Sequence, residues 1–91
     1  MGPKLNSLKA LTRANAKVTS LRDRLFLLRT WLTDRETRIL LALDLFDREF
    51  YLANNPDIKA AKADPLIHYL RWGKKERRRP SVNVDASALF Q

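Results

Sequence analysis

The side chains that could do chemistry gather towards the C-terminal half of the sequence. His68 is the only histidine and lies between Ile67 and Tyr69. An imidazole there could serve as a general base or as a metal ligand. Either task needs company, and no second His, no Cys and no obvious carboxylate dyad stands with it, so His68 reads as a structural histidine. Just beyond it, Arg71, Lys74, Lys75, Arg77, Arg78 and Arg79 form a basic run. Trp72 beside that run is an aromatic that could sit at a lipid interface or stack on a base or a sugar. A second cationic set, Arg22, Arg24 and Arg29 with Trp31, lies nearer the N-terminus. Both sets are candidate partner-binding surfaces, and a plainly solvated face is the alternative. No residue qualifies for a catalytic, cofactor-binding or metal-ligating role.

The composition bounds what those residues can belong to. Ninety-one residues make one small domain with at most an extension, and 45% apolar against 31% charged residues is not a disordered composition. Zero Cys excludes disulfides, thiolate metal sites and a Cys nucleophile, and two Gly leave no glycine-rich phosphate loop. The longest apolar stretch, Ile39 to Leu43, is too short for a membrane span or a signal-peptide core. A cytoplasmic protein, soluble or peripheral to the inner membrane, is the expectation. The net charge of +8 is uneven: +6 over residues 1–40, −2 over 41–70 and +4 over 71–91. An electrostatic partner would therefore meet the two ends rather than the middle.

The elements that must position these residues are helices. No Pro or Gly interrupts residues 4–32, and apolar residues recur at Leu11, Ala14, Val18, Leu21, Leu25, Leu28 and Leu32. That is a heptad a/d pattern over about three heptads, and it predicts one long basic amphipathic helix. With Leu11 at position a, Lys17 and Arg24 fall at g and Arg22 and Arg29 at e. A parallel homodimer would set Lys17 against Arg22 and Arg24 against Arg29 of the second copy, so it is disfavoured. Thr33-Asp34-Arg35-Glu36 reads as a capping box that opens a second helix, on which the run Ile39 to Leu43 must be largely buried.

A set of short capped helices follows. Asp47 can cap a helix containing Phe50, Tyr51 and Leu52. Asn55-Pro56 and Asp64-Pro65 each pair a cap with Pro at the first helical position. Gly73 stands where a left-handed C-terminal cap is wanted, Pro80 ends the basic stretch, and Asp85 to Phe90 reads as one more helical turn. Phe46, Phe50, Tyr51, Leu52, Leu66, Tyr69 and Leu70 have the spacing of a core. No strand alternation is present. The expected fold is all-α: a basic coiled-coil-like helix over 1–32, then a small helical module over 33–91.

The second part resembles a known module. Phe46-Asp47-x-x-Phe50-Tyr51-Leu52-x-x-Asn55-Pro56-Asp57-Ile58, then Asp64-Pro65-Leu66-x-His68-Tyr69-Leu70-x-x-Gly73-x-x-Glu76-x-Arg78-x-Pro80, is similar to FDxxYYLxxNPDV…DPLxHYLxxGxxEGRxP. That short helical module recurs, sometimes in tandem, beside bacterial glycosyltransferases of exopolysaccharide, capsule and rhamnan-type synthesis. The likeness covers roughly residues 39–85, with Leu41 to Leu45 resembling the apolar lead-in helix and Val84-Asp85 the start of a second copy. Arg77 departs from the pattern, which usually has Gly there. The resemblance implies a non-catalytic interaction module linked to surface-polysaccharide synthesis, docking a protein partner such as a glycosyltransferase, or the anionic inner-membrane surface. A small basic nucleic-acid-binding protein is the alternative, since the pI is near 10.5. A stand-alone enzyme is not expected, and no cofactor is implied.

Overall fold

A computed structural model describes residues 5–82 and residue 84. The fold is all-α, with α1 Leu5–Lys17, α2 Leu21–Thr33, α3 Arg35–Ala42, α4 Arg48–Asn54, α5 Pro56–Ala61 and α6 Pro65–His68. The last runs on into a π-helical turn, Tyr69–Gly73. No named strand occurs among the described residues, only an isolated antiparallel bridge between Ser81 and Val84. The expected turn over Asp85 to Phe90 lies outside the described residues. The chain divides into two compact units, Met1–Asp44 and Leu45–Gln91.

In the first unit the expected single long helix is two helices. Residues 18–20 break it, for local reasons. Val18 and Thr19 are β-branched, and Ser20 follows as an N-cap whose hydroxyl accepts the Asp23 N–H at 3.5 Å. The turn is sealed from both sides: Val18 is fully buried, and the Arg24 Nε–H donates to the Val18 carbonyl at 2.7 Å. That guanidinium takes over a carbonyl that no further helical turn is there to satisfy. Ala10, Leu11, Ala14, Val18, Leu27, Trp31, Leu40 and Leu41 are buried. α3 packs chiefly on α1, with α2 against both.

The α2–α3 joint is a single residue, Asp34. Thr33 is not the expected cap: it ends α2, and its hydroxyl donates back to the Arg29 carbonyl at 2.9 Å. Asp34 holds the cap position with no side-chain bond to the helix backbone, and its carboxylate accepts from the buried Thr37 hydroxyl at 2.7 Å. The Arg38 guanidinium closes the joint by donating to the carbonyls of Trp31 (2.7 Å) and Leu32 (3.1 Å) at the end of α2.

The second unit is built on an aromatic cluster. Tyr51 and Tyr69 are fully buried and meet edge to face with centroids 5.8 Å apart, and Phe46 lies 5.4 and 5.6 Å from them. Leu66 and Leu70 are buried as expected, with Ile58, Ile67 and Pro65 beside them, whereas Phe46, Phe50 and Leu52 are half-buried. Two expected caps form: Asp47 accepts from the Phe50 N–H at 3.0 Å, and Asp64 from the Ile67 N–H at 3.1 Å. Asp64 also pairs with Arg48 at 2.9 Å, tying α4 to the start of α6. The buried Pro80 carbonyl accepts the Asp47 N–H at 2.9 Å and closes the unit on itself.

Candidate functional site

The motif residues converge on one polar network inside the second unit. The Tyr51 hydroxyl lies 2.7 Å from His68 Nδ1. Burial above all pushes the Tyr51 phenol up to about 12, so it keeps its proton and donates. Burial, and after it the Arg78 charge, hold the His68 imidazole below its usual value, so its neutral Nδ1 accepts. His68 is thus anchored by a buried phenol, with no carboxylate or second imidazole bonded to it among the described residues.

Arg78 is the second centre. Its Nη1–H donates to Asn55 Oδ1 at 2.5 Å, its Nη2 lies 3.2 Å from Asp57 Oδ2, and its Nε–H donates to Glu76 at 3.0 Å. The hydrogen bond from Arg78 holds the Asp57 carboxyl below the usual carboxylate range. Asn55 stands at the N-cap of α5 but makes no cap bond. Its Nδ2 donates to the Tyr51 carbonyl at 2.7 Å, so it joins the end of α4 to Arg78. One guanidinium therefore secures α4, α5 and the C-terminal turn together.

Gly73 has a different role from the expected one. It is not left-handed, and it sits at the end of the π-helical turn, where an added Cβ would run into the Tyr51 hydroxyl and come within 3.2 Å of the Tyr69 ring. Close approach, rather than positive φ, requires glycine there. The left-handed cap is Arg77, at φ 60°. The Arg78 N–H bonds to the Gly73 carbonyl at 2.9 Å and the Arg77 N–H to the Lys74 carbonyl at 3.2 Å, which is the paired bonding of a Schellman cap. This cap swings the chain round so that Arg78 reaches Asn55 and Asp57. In sequence the signal was the departure at Arg77, in a pattern that has Gly at that position.

The remaining candidate residues separate by environment. Trp31 is 4% exposed and belongs to the core rather than to a surface. Arg24 and Arg78 are held by bonds within their own units, and Arg79 donates to the Val82 carbonyl at 2.7 Å. Arg71 and Lys74 are half-buried. Arg22, Arg29, Lys75 and Arg77 are exposed, as is Trp72. No group of three or more His, Cys, Asp or Glu able to hold a metal ion occurs among the described residues, and none of their helices is long and apolar enough to cross a membrane. Comparison with protein-family models, curated proteins and solved structures finds no match.

Two local signals in the sequence mark the joints of the first unit. Ser20-Leu21-Arg22-Asp23 has the spacing of a capping box and marks the break before α2. Arg38 lies within reach of the last turn of α2, where a cation satisfies terminal carbonyls.

Proposed function

We propose that the chain is a non-catalytic interaction module of a bacterial surface-polysaccharide system, and that it docks a protein partner, a glycosyltransferase in the first instance. The observation that carries this reading is the use of the motif's polar side chains. His68 is bonded to Tyr51, and Arg78 to Asn55, Asp57 and Glu76, so the groups capable of acid–base or anion chemistry hold the second unit together. The polysaccharide context rests on the likeness of residues 46–80 to the glycosyltransferase-associated module. The exposed Arg22, Arg29, Lys75 and Arg77 supply charge for docking.

The test is recovery of the tagged full chain from its host, with the co-purifying proteins identified and binding to duplex DNA measured in parallel. Co-purification of a glycosyltransferase or polymer exporter at moderate salt is the expected result. If neither is recovered and the chain instead binds duplex DNA with a salt slope near −0.9 per phosphate contacted, the protein is a nucleic-acid binder and the proposal fails.

A further inference from the structure

α2 is apolar on two separate faces, and only one of them is used. Leu27 and Trp31 are buried, with Phe26 and Thr30 half-buried beside them. Leu21, Leu25, Leu28 and Leu32 are 39% to 72% exposed. At ~100° per residue these four leucines fall within an arc of ~60°, in the 4-3-4 spacing of a heptad seam. The turn at 18–20 explains why they are left outside: Leu11, Ala14 and Val18, which continue the same heptad in sequence, are buried on α1 and its turn. Arginines line the seam on both sides, Arg24 along one edge and Arg22 and Arg29 along the other. Arg24 is held at its edge by the bond to the Val18 carbonyl. Arg22 and Arg29 are exposed, and their guanidinium groups have no hydrogen-bond or ion-pair partner among the described residues.

We propose that the Leu21–Leu25–Leu28–Leu32 face is a coiled-coil docking seam for a helix of another protein whose own apolar stripe is flanked by Asp and Glu. This deepens the interaction-module reading and rests on it. Charge selects the occupant. Lys17 stands on α1, outside the seam, but Arg24 remains. A parallel second copy would set Arg24 against Arg29 of that copy, and an antiparallel one would set Arg22 against Arg29. Both orders place like charges along the seam, so a second copy is disfavoured in either direction, whereas an acidic-flanked helix turns every flanking contact into an attraction. A lipid surface fits less well. The stripe is a narrow a/d seam rather than a broad apolar face, and the aromatic residues of α2 turn away from it.

The probe is a synthetic helical peptide of about three heptads with Leu at a and d and Glu at e and g, compared with its Lys-flanked counterpart. Fluorescence anisotropy with the full chain should show the Glu peptide binding at least about tenfold more tightly than the Lys peptide. Leu25→Asp with Leu28→Asp should abolish that binding. Arg22→Glu with Arg29→Glu, which leaves every apolar atom of the seam in place, should invert the preference; this pair carries the test if the aspartate variant loses its helical circular dichroism. Equal affinity for the two peptides, or binding to neither, overturns the proposal. So does a micromolar dimer in sedimentation that the aspartate pair dissolves, or flotation with equimolar phosphatidylcholine–phosphatidylglycerol vesicles that the same pair abolishes. If a co-purifying glycosyltransferase is retained by the aspartate pair, the seam is wrong while the interaction-module reading stands. If the wild-type chain recovers neither such an enzyme nor a polymer exporter yet still prefers the Glu peptide, that wider reading fails and the seam survives.

Discussion

The two units are both made of short helices joined by very short turns, yet they use their polar and apolar side chains in opposite ways. In Leu45–Gln91 the polar groups of the motif bond to one another, Tyr51 to His68 and Arg78 to Asn55, Asp57 and Glu76, and Arg48, outside the motif, pairs with Asp64. In Met1–Asp44 two arginines, Arg24 and Arg38, cap the ends of helices, while a row of four leucines stays exposed. A hydrogen-bonded network depends on every member and on its position, so the second unit carries a motif of fixed spacing. An amphipathic helix needs only enough apolar side chains to cover its neighbours, and the surplus is available for contacts outside the unit.

The largest expected effect comes from setting the two units' apolar groups against each other. Tyr69→Ala, which removes a fully buried ring from the aromatic cluster, should lower the unfolding free energy by about 3–5 kcal/mol. Leu25→Asp, on the exposed seam, should change it by no more than ~0.5 kcal/mol. Urea denaturation of both variants measures this. Similar losses in the two would erase the contrast and return the leucine face to the core.

The next effect sharpens the role of the π-helical turn. Gly73→Ala should cost about 1–3 kcal/mol, because its methyl group meets the Tyr51 hydroxyl and the Tyr69 ring. Combining it with Tyr51→Phe, which removes the oxygen in the way, should recover part of that loss, so that the two costs do not add. Strict additivity would show that the methyl group and the hydroxyl do not meet.

How legible each unit was in sequence follows from the same contrast. The caps at Asp47 and Asp64 were readable because a side-chain acceptor followed by Pro or an apolar turn is a local signal with a local cause. The tyrosine core was readable from spacing. Asn55 was readable as a position but not in its bonding, because its partner Arg78 is remote in sequence and reaches it only after the chain has turned at Arg77. In the first unit the heptad pattern ran unbroken through residues 18–20, and periodicity does not reveal a turn that preserves the spacing. The same pattern could not tell which leucines turn inward, since on α2 the buried face is set by Leu27 and Trp31, and the heptad-spaced leucines flank it.

A smaller effect, of opposite sign, concerns the cap itself. Arg77 holds φ 60°, a conformation in which a side chain's Cβ is crowded and glycine is not. Arg77→Gly should therefore raise the unfolding free energy by about 0.5–1 kcal/mol, less than the Cβ strain alone because glycine also loosens the unfolded chain. Thermal denaturation measures it. A loss instead of a gain would mean that the Arg77 side chain itself supports the second unit, against its exposed position.

The last effect is a pH dependence confined to the second unit. In the folded protein burial, followed by the Arg78 charge, lowers the His68 value below its usual 6.5, with Glu76 and Asp57 pulling weakly the other way. The unfolded chain thus takes up the proton first as the pH falls. Stability from this group is complete above pH 6.5, declines as the pH drops through 6.5, and levels off below the folded value, where both states are protonated. The Tyr51 phenol gives the mirror image. Raised from 10.0 to about 12, it contributes stability that is complete below pH 10.0 and is lost as the pH climbs towards 12. Titrating the denaturation midpoint of the wild type against His68→Gln and Tyr51→Phe separates the two. His68→Gln should flatten the acid limb near 6.5 and leave the alkaline limb, and Tyr51→Phe should do the reverse at the alkaline end. An acid limb that persists unchanged in His68→Gln would place its origin in other groups, and the phenol–imidazole pair would then hold the unit together without sensing acid.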